Sequence, residues 1–179
     1  MTYIFLLAGR GSRLHPLTLK YPKSLYKLDK NTTVFKRMVD LIKAYDKQAK
    51  IVAVVGFMSK HIKESITGIT FVENPFFEVT NSIASLWFAR QYLDSENVTI
   101  INGDIVVEQN VVIDFITKDV QRPQVFIDSS IKNNGDYNVQ VNDEKILVMS
   151  KDLDSYYGEY AGITKLDGRS AQKLKHTVE

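Results

Sequence analysis

The chain has 179 residues, 44% of them hydrophobic and 25% charged, and contains no cysteine. That length suits one domain of the usual ~100–200 residues, and the lack of cysteine excludes disulfide scaffolds, cysteine-based zinc sites, thiol nucleophiles and thiol redox chemistry. A net charge of +2 is too small to be a nucleic-acid footprint, though it is compatible with one local anion site. No stretch reaches the ~18–20 apolar residues of a membrane span, so no membrane partner is expected.

The opening, MTYIFLLAGRG, has an apolar run with no basic region before it and a Gly-Arg-Gly turn after it. It reads as a buried strand over residues 3–7 rather than a signal peptide, and the expected location is cytoplasmic. A long polar loop then runs to about Asn31. Thr32 or Thr33 caps a helix that carries Phe35, Met38, Leu41, Ile42 and Tyr45 on one face. Residues 51–55 form a second strand ended by Gly56, residues 59–66 a short helix, and residues 69–72 a third strand. A helix is expected from about Asn81 to Leu93, with Ile83, Leu86, Trp87, Arg90 and Leu93 spaced at three and four; Trp87 falls on its apolar stripe and reads as core.

Residues 98–101 make a fourth strand ending in Asn102-Gly103-Asp104, and residues 111–118 read as helix. Strands follow at 124–128, 137–141, 145–149 and 160–165, before a polar helix near 168–176. No repeat, low-complexity tract or linker interrupts the chain, so one domain over 1–179 is expected. Strand–helix alternation followed by hairpin-like strands predicts an α/β fold: a Rossmann-like mixed sheet, parallel in its first half with antiparallel additions later, flanked by helices.

The chemistry concentrates in LLAGRGSRLHPLTLKYPKSL, residues 6–25. The segment leaves a strand at its C-terminal end, where open α/β sheets place ligands. Gly9 and Gly11 let backbone N–H groups converge on an anion, Arg13 and Lys23 add positive charge, and Pro16 and Pro22 stiffen the excursion. A dinucleotide fingerprint needs a third small residue where Leu14 stands, and a Walker loop needs a Gly-Lys-Ser/Thr run that the chain lacks. A basic glycine turn of this kind suits a triphosphate.

These residues resemble the signature of the nucleotidyltransferase family that makes nucleotide sugars and nucleotide-activated phospho-alcohols, L-A-A-G-x-G-S/T-R-L-x-P-L-T followed by P-K-S/A-L. Leu7 departs from the family's small Ala, and Arg10 fills its free position. The resemblance implies that Leu6, Ala8, Gly9, Gly11, Ser12 and Gly103 lie on the nucleotide, and that Arg13 and Lys23 hold its phosphates. It places a metal-binding carboxylate at Asp104, suited to Mg²⁺ as the cofactor. It puts Lys151, in Met149-Ser150-Lys151, at the position of a lysine that contacts the acceptor's phosphate. The run from Gly158 to Ile163 resembles the strand bearing an acceptor-contacting Glu, here Glu159.

The pattern N-P, then N-x-x-S-L, at Asn74-Pro75 and Asn81 to Leu86 is similar to bacterial cytidylyltransferases acting on phosphocholine, aminoethylphosphonate and related phospho-alcohols. That similarity implies CTP as donor, with Asn81, Ser82 and Ser85 near it. An ammonium-bearing acceptor favours aromatic faces beside a carboxylate, with Tyr156, Tyr157, Tyr160 and Glu159 as candidates. His15, His61 and His176 form no ligand pair and read as surface or loop residues. The expected reaction is transfer of CMP from CTP to a small phospho-alcohol or phosphonate with release of pyrophosphate, in the service of surface glycan or phosphonate decoration. Two alternatives stand beside it: a sugar-1-phosphate nucleotidyltransferase using UTP or dTTP, and a truncated nucleotide-binding module without catalysis. The second follows from the expectation that the domain lacks the family's usual C-terminal portion, which supplies a second metal-binding Asp.

Overall fold

Four short runs rich in β-branched residues build the centre of the sheet. A computed structural model describes residues 1–12, 16–130 and 137–178. In it β1 (Thr2–Leu6) lies between β2 (Lys50–Val55) and β4 (Asn97–Asn102), with β3 (Thr70–Glu73) beyond β2, all parallel. The later strands β5 (Gln124–Asp128), β6 (Asn138–Asn142), β7 (Lys145–Ser150) and β8 (Gly158–Asp167) add antiparallel pairs. The order is β3-β2-β1-β4-β8-β6-β7, with β5 on the other side of β8. The sheet is therefore mixed, parallel first and antiparallel later.

Side chains of β1 alternate between two cores, as the period of a strand demands. Tyr3, Phe5 and Leu7 join Phe35, Met38, Val39 and Ile42 of α1 (Val34–Tyr45) and Ile62 of α2 (Ser59–Ser65). On the opposite face Ile4 joins Leu86 of α3 (Ser82–Phe88) and Ala171 of α5 (Gly168–Val178). Helices thus cover both faces of the parallel half. Thr33, not Thr32, caps α1, accepting from the Lys36 N–H at 3.3 Å. Tyr45 leaves the core face and is exposed; Val39 takes its place, and the Tyr45 hydroxyl accepts from Gln109 Nε2 at 2.9 Å. Among the described residues no helix is long and apolar enough to cross a membrane.

Two expected helices are shorter than their patterns. Residues 81–93 break after α3: Ala89 leaves the α region and a 3₁₀ turn, Arg90–Leu93, follows. The three-residue spacing of that turn keeps Ala89, Tyr92 and Leu93 against the sheet that Leu86 already touches. Trp87 and Ile83 face outward, 39% and 65% exposed, so the apolar stripe assigned to that helix is only half buried.

Residues 111–118 form one short turn, α4 (Gln109–Val111), which widens into a π turn at Val112–Ile116. The wide turn carries both Val112 and Ile116 into the core. Side chains supplement the backbone N–H bonds on its carbonyls, where Thr117 N–H donates to Val112 at 3.0 Å. Thr117 Oγ1 donates to Val112 and Ile113, and the ammonium of Lys165 on β8 donates to the carbonyls of Phe115 and Lys118.

Lys165 is fully buried, and desolvation pulls its pKa down to about 8 from 10.5. The folded state therefore releases this proton before the unfolded chain does, and its contribution to stability grows as pH rises from about 8 to 10.5. Lys165→Met takes the ammonium from both carbonyls, of which Phe115 keeps the Lys118 N–H at 3.3 Å, and should cost ~1–3 kcal/mol. In thermal melts between pH 7 and 10, the gap between wild type and the variant should widen with pH; a gap that narrows would contradict this account.

Candidate functional site

The C-terminal ends of β1, β2 and β4 are tied into one edge by backbone hydrogen bonds. Leu7 N–H donates to Val54 at 2.8 Å, Gly103 N–H to Leu6 at 3.1 Å, and Phe57 N–H to Ala8 at 3.0 Å. From this edge the glycine loop departs. Leu6 and Ala8 turn to one face and border a cavity of about 140 Å³, while Leu7 turns into the core. Leucine at position 7 therefore bears on packing and not on the cavity. A Cβ on Gly103 would stand 2.5 Å from Leu7 Cδ2 and 3.0 Å from the Leu6 carbonyl, so glycine at 103 is what admits the larger residue.

The cavity is walled by Leu6, Ala8 and Gly9 from the first loop and by Phe77, Thr80, Asn81, Ser82 and Ser85 from the segment entering α3. Two stretches far apart in sequence, each singled out for the nucleotide, meet here. Gly9 is exposed, and a Cβ there would meet nothing within 4 Å; space beside it is open. Asn81 caps α3, its Oδ1 accepting from Ala84 N–H at 3.1 Å. Ser85 is buried.

Asn74 organises this wall from behind. It is fully buried; its Nδ2 donates to Thr80 Oγ1 and Ser85 Oγ, each at 3.0 Å, and its Oδ1 accepts from Phe76 N–H at 2.9 Å. Phe77 and Thr80 carried no signal of their own in sequence, because an isolated Phe or Thr in a loop has no period or spacing to mark it. Only the Asn-Pro turn that delivers them was visible.

Beyond Gly9 the loop is held by its own contacts. Gly11 takes a left-handed backbone, φ +64°, and its carbonyl accepts from Thr18 Oγ1 at 2.9 Å. The methylene stem of Lys23 passes beside it, 3.4 Å from where a Cβ would lie. The Lys23 ammonium then donates to Asp104 Oδ2 at 2.8 Å, joining the first loop to the end of β4. Both side chains remain partly open to water, 25% and 44% exposed. Ser12 is exposed on the same excursion. Arg13, assigned to the phosphates, lies outside the described residues, as does His15.

The acceptor candidates form a separate group. Because Ile101 of β4 pairs with Ile163, the start of β8 continues past the ends of the parallel strands. Glu159 stands there between Asp128 and Asn138 in register. Glu159 Oε1 is buried without a hydrogen-bond partner, and so are both amide atoms of Asn138. Tyr160 is half-buried with its hydroxyl 2.8 Å from Thr164 Oγ1, and burial raises its pKa. Tyr157 is exposed. Lys151 follows the outermost strand β7, its ammonium 5.4 Å from the centroid of the Tyr137 ring. The structure does not bring Lys151 to the walls of the cavity.

Among the described residues no three His, Asp or Glu side chains converge as a ready metal cage. Asp104, partly exposed and paired with Lys23, fits Mg²⁺ as a single carboxylate, because that ion is commonly held by one or two carboxylates, waters and the substrate's own phosphates.

No family model matches the chain. Over 116 residues, 62% of its length, the chain is 30% identical to the bifunctional protein GlmU of Methanococcus maripaludis. That stretch is 26% of GlmU, so the chain spans about a quarter of the length of the curated relatives it matches. CTP:phosphocholine cytidylyltransferase from Streptococcus pneumoniae superposes with a TM-score of 0.77 at 22% identity, over 99% of this chain and 75% of that one. Inositol-1-phosphate CTP transferase from T. maritima follows at 0.75 and 20%, over 96% and 72%. A protein described as a glucose-1-phosphate thymidylyltransferase from Bacillus anthracis gives 0.75 and 17%, over 98% and 74%. At these identities the likeness is one of fold: the chain has the mixed α/β fold of nucleotidyltransferases.

Asn74→Ala would leave two hydroxyls and a backbone N–H without their partner. It should lower stability by ~1–3 kcal/mol in denaturant titrations, and unchanged stability would mean that Asn74 is not the brace described.

Proposed function

We propose that the chain is a Mg²⁺-dependent nucleotidyltransferase, transferring CMP from CTP to a small phospho-alcohol or phosphonate of the phosphocholine type and releasing pyrophosphate. The observation that carries this reading is the cavity itself. Leu6, Ala8 and Gly9 meet Asn81, Ser82 and Ser85 around one small space at the ends of the parallel strands. Support for CTP comes from the Asn74-Pro75 and Asn81–Ser85 pattern and from two solved neighbours named for CTP.

In the proposed reaction an oxygen of the acceptor's phosphate or phosphonate attacks the α-phosphorus of the donor. The bond from that phosphorus to the bridging oxygen breaks, and the electron pair leaves with pyrophosphate. The attacking oxygen is already anionic near neutral pH, so no residue is required as a general base. Gly9 to Gly11 supply backbone N–H groups to the phosphates, and Lys23, with Arg13, supplies positive charge fixed before the reaction begins.

Asp104 would hold Mg²⁺, and bound there the metal supplies charge neutralisation between the two anionic reactants. Lys23 and Asp104 join the first loop to the end of β4 through their ion pair, and that pairing of the two charges supports the reading. Glu159, Tyr157, Tyr160 and Lys151 are assigned to the acceptor. The exposed ring of Tyr157, just before β8, supports this, because an aromatic face open to water suits an ammonium-bearing acceptor.

The donor is tested by melting the protein with CTP, UTP, dTTP, GTP or ATP, each with Mg²⁺. A saturating donor at a hundredfold excess over its Kd adds ~2.7 kcal/mol of stability. CTP should raise the midpoint most; preference for UTP or dTTP moves the reading to sugar-1-phosphates, and no response to any of the five rejects it. Lys23→Ala should melt close to wild type, since it loses a partly exposed ion pair worth ~0–1 kcal/mol. Its pyrophosphate release should fall ~10²–10³-fold.

A further inference from the structure

One cation at the mouth of the cavity has no part in the reaction as described above. Arg10 stands between Gly9, which lines the cavity, and the left-handed turn at Gly11. Its guanidinium lies 5.6 Å from the centroid of Phe57 and 5.9 Å from that of Phe77, and it donates to Glu78 Oε1. Phe57 follows β2, while Phe77 and Glu78 follow β3. The side chain therefore spans from the first loop to the segments that follow β2 and β3. Phe77 is also a wall of the cavity, and it sits directly on Gly56, where a Cβ would come within 2.6 Å of Phe77 Cβ.

Two kinds of contact hold Arg10, and they differ in how easily they are exchanged. The ring faces are carbon surfaces that keep a guanidinium plane in place whatever its N–H groups bond to. The carboxylate is different. Arg10 and Glu78 are 50% and 58% exposed, and an ion pair so open to water contributes little. A phosphate competes well for such a guanidinium, because it accepts two parallel charge-assisted hydrogen bonds and brings more negative charge. Neighbouring loop N–H groups at Gly9 and Gly11 would serve the same anion.

We propose that Arg10 is a phosphate-binding residue for the donor's polyphosphate, held in place by Glu78 until the nucleotide arrives. On binding, the guanidinium gives up the Glu78 carboxylate for phosphate oxygens and stays on Phe57 and Phe77. Glu78 is thereby a built-in competitor that sets how tightly the polyphosphate is held. This rests on reading the cavity as a nucleoside triphosphate site.

The test titrates wild type, Arg10→Gln, Glu78→Gln and the double variant with CTP, CMP and inorganic pyrophosphate, each with Mg²⁺, by calorimetry. Arg10→Gln should weaken CTP and pyrophosphate by about tenfold or more, the usual worth of a hydrogen bond to a charged group, and leave CMP unchanged. Arg10→Lys, which keeps charge but not the planar fork, should fall between. Glu78→Gln should tighten CTP and pyrophosphate in the wild-type background and do nothing in the Arg10→Gln background. Full CTP and pyrophosphate affinity in Arg10→Gln overturns the proposal. So does a gain from Glu78→Gln that persists without Arg10, since that is plain charge repulsion. Arg10-dependent binding of pyrophosphate with no binding of any nucleoside triphosphate would uphold Arg10 while rejecting the nucleotidyltransferase reading.

Discussion

The site depends on three backbone hydrogen bonds that hold the ends of adjacent parallel strands level: Leu7 to Val54, Gly103 to Leu6 and Phe57 to Ala8. Each strand end releases a loop, and each loop carries a different part of the candidate chemistry. The glycine turn leaves β1, Phe57 leaves β2, and the Gly103-Asp104 turn leaves β4. Loops are ordinarily the mobile part of a domain. Here they start from fixed points on a sheet buried on both faces, so their first residues share its rigidity.

Alternation along β1 then divides labour between neighbours. Leu6 and Ala8 face the cavity, while Leu7 fills the opposite core. Size at position 7 is balanced by the missing side chain at Gly103 and is independent of the ligand space. Asn74 plays the matching part on the other wall, since a single buried amide fixes Thr80, Ser85 and the Phe76 backbone together. The cavity is thus shaped by one strand's pleat and one amide's three hydrogen bonds.

Much of this was legible in the sequence, and the illegible remainder has physical causes. The strands were visible because β-branched runs bounded by Gly, Asn or Asp have few other ways to fold. The resemblance put residues of both stretches near one ligand, and the cavity brings Leu6, Ala8 and Gly9 together with Asn81, Ser82 and Ser85, while Gly11 and Ser12 lie outside its lining. Helix ends were less legible. Leu93 fits a 3.6-residue period from Asn81, yet the chain tightens at Ala89 because burial of Ala89 and Tyr92 favours a three-residue period. The π turn was invisible for a related reason: the side chain that braces its last carbonyls, Lys165, lies fifty residues downstream. Trp87 and Tyr45 matched an apolar stripe whose width the sequence does not state. Arg10 sat in a position free to vary, and only Phe57, Phe77 and Glu78, all distant in sequence, give it a context.

The late arrival of β8 bears on how the chain reaches this state. The cavity walls and the Lys23–Asp104 pair come from residues up to 104, but the outer edge of β4 is paired only by residues 163–167, roughly sixty positions later. A ribosome therefore finishes the cavity walls well before it supplies the strand that seals the sheet beside them. Until then the Val98–Ile101 backbone is an open edge flanked by apolar side chains, the kind of surface that recruits other chains. Closing it requires a long loop and so a slow, non-local step. β8 acts as the seal on folding, and a growing chain is most vulnerable to misassembly during the interval before β8 docks.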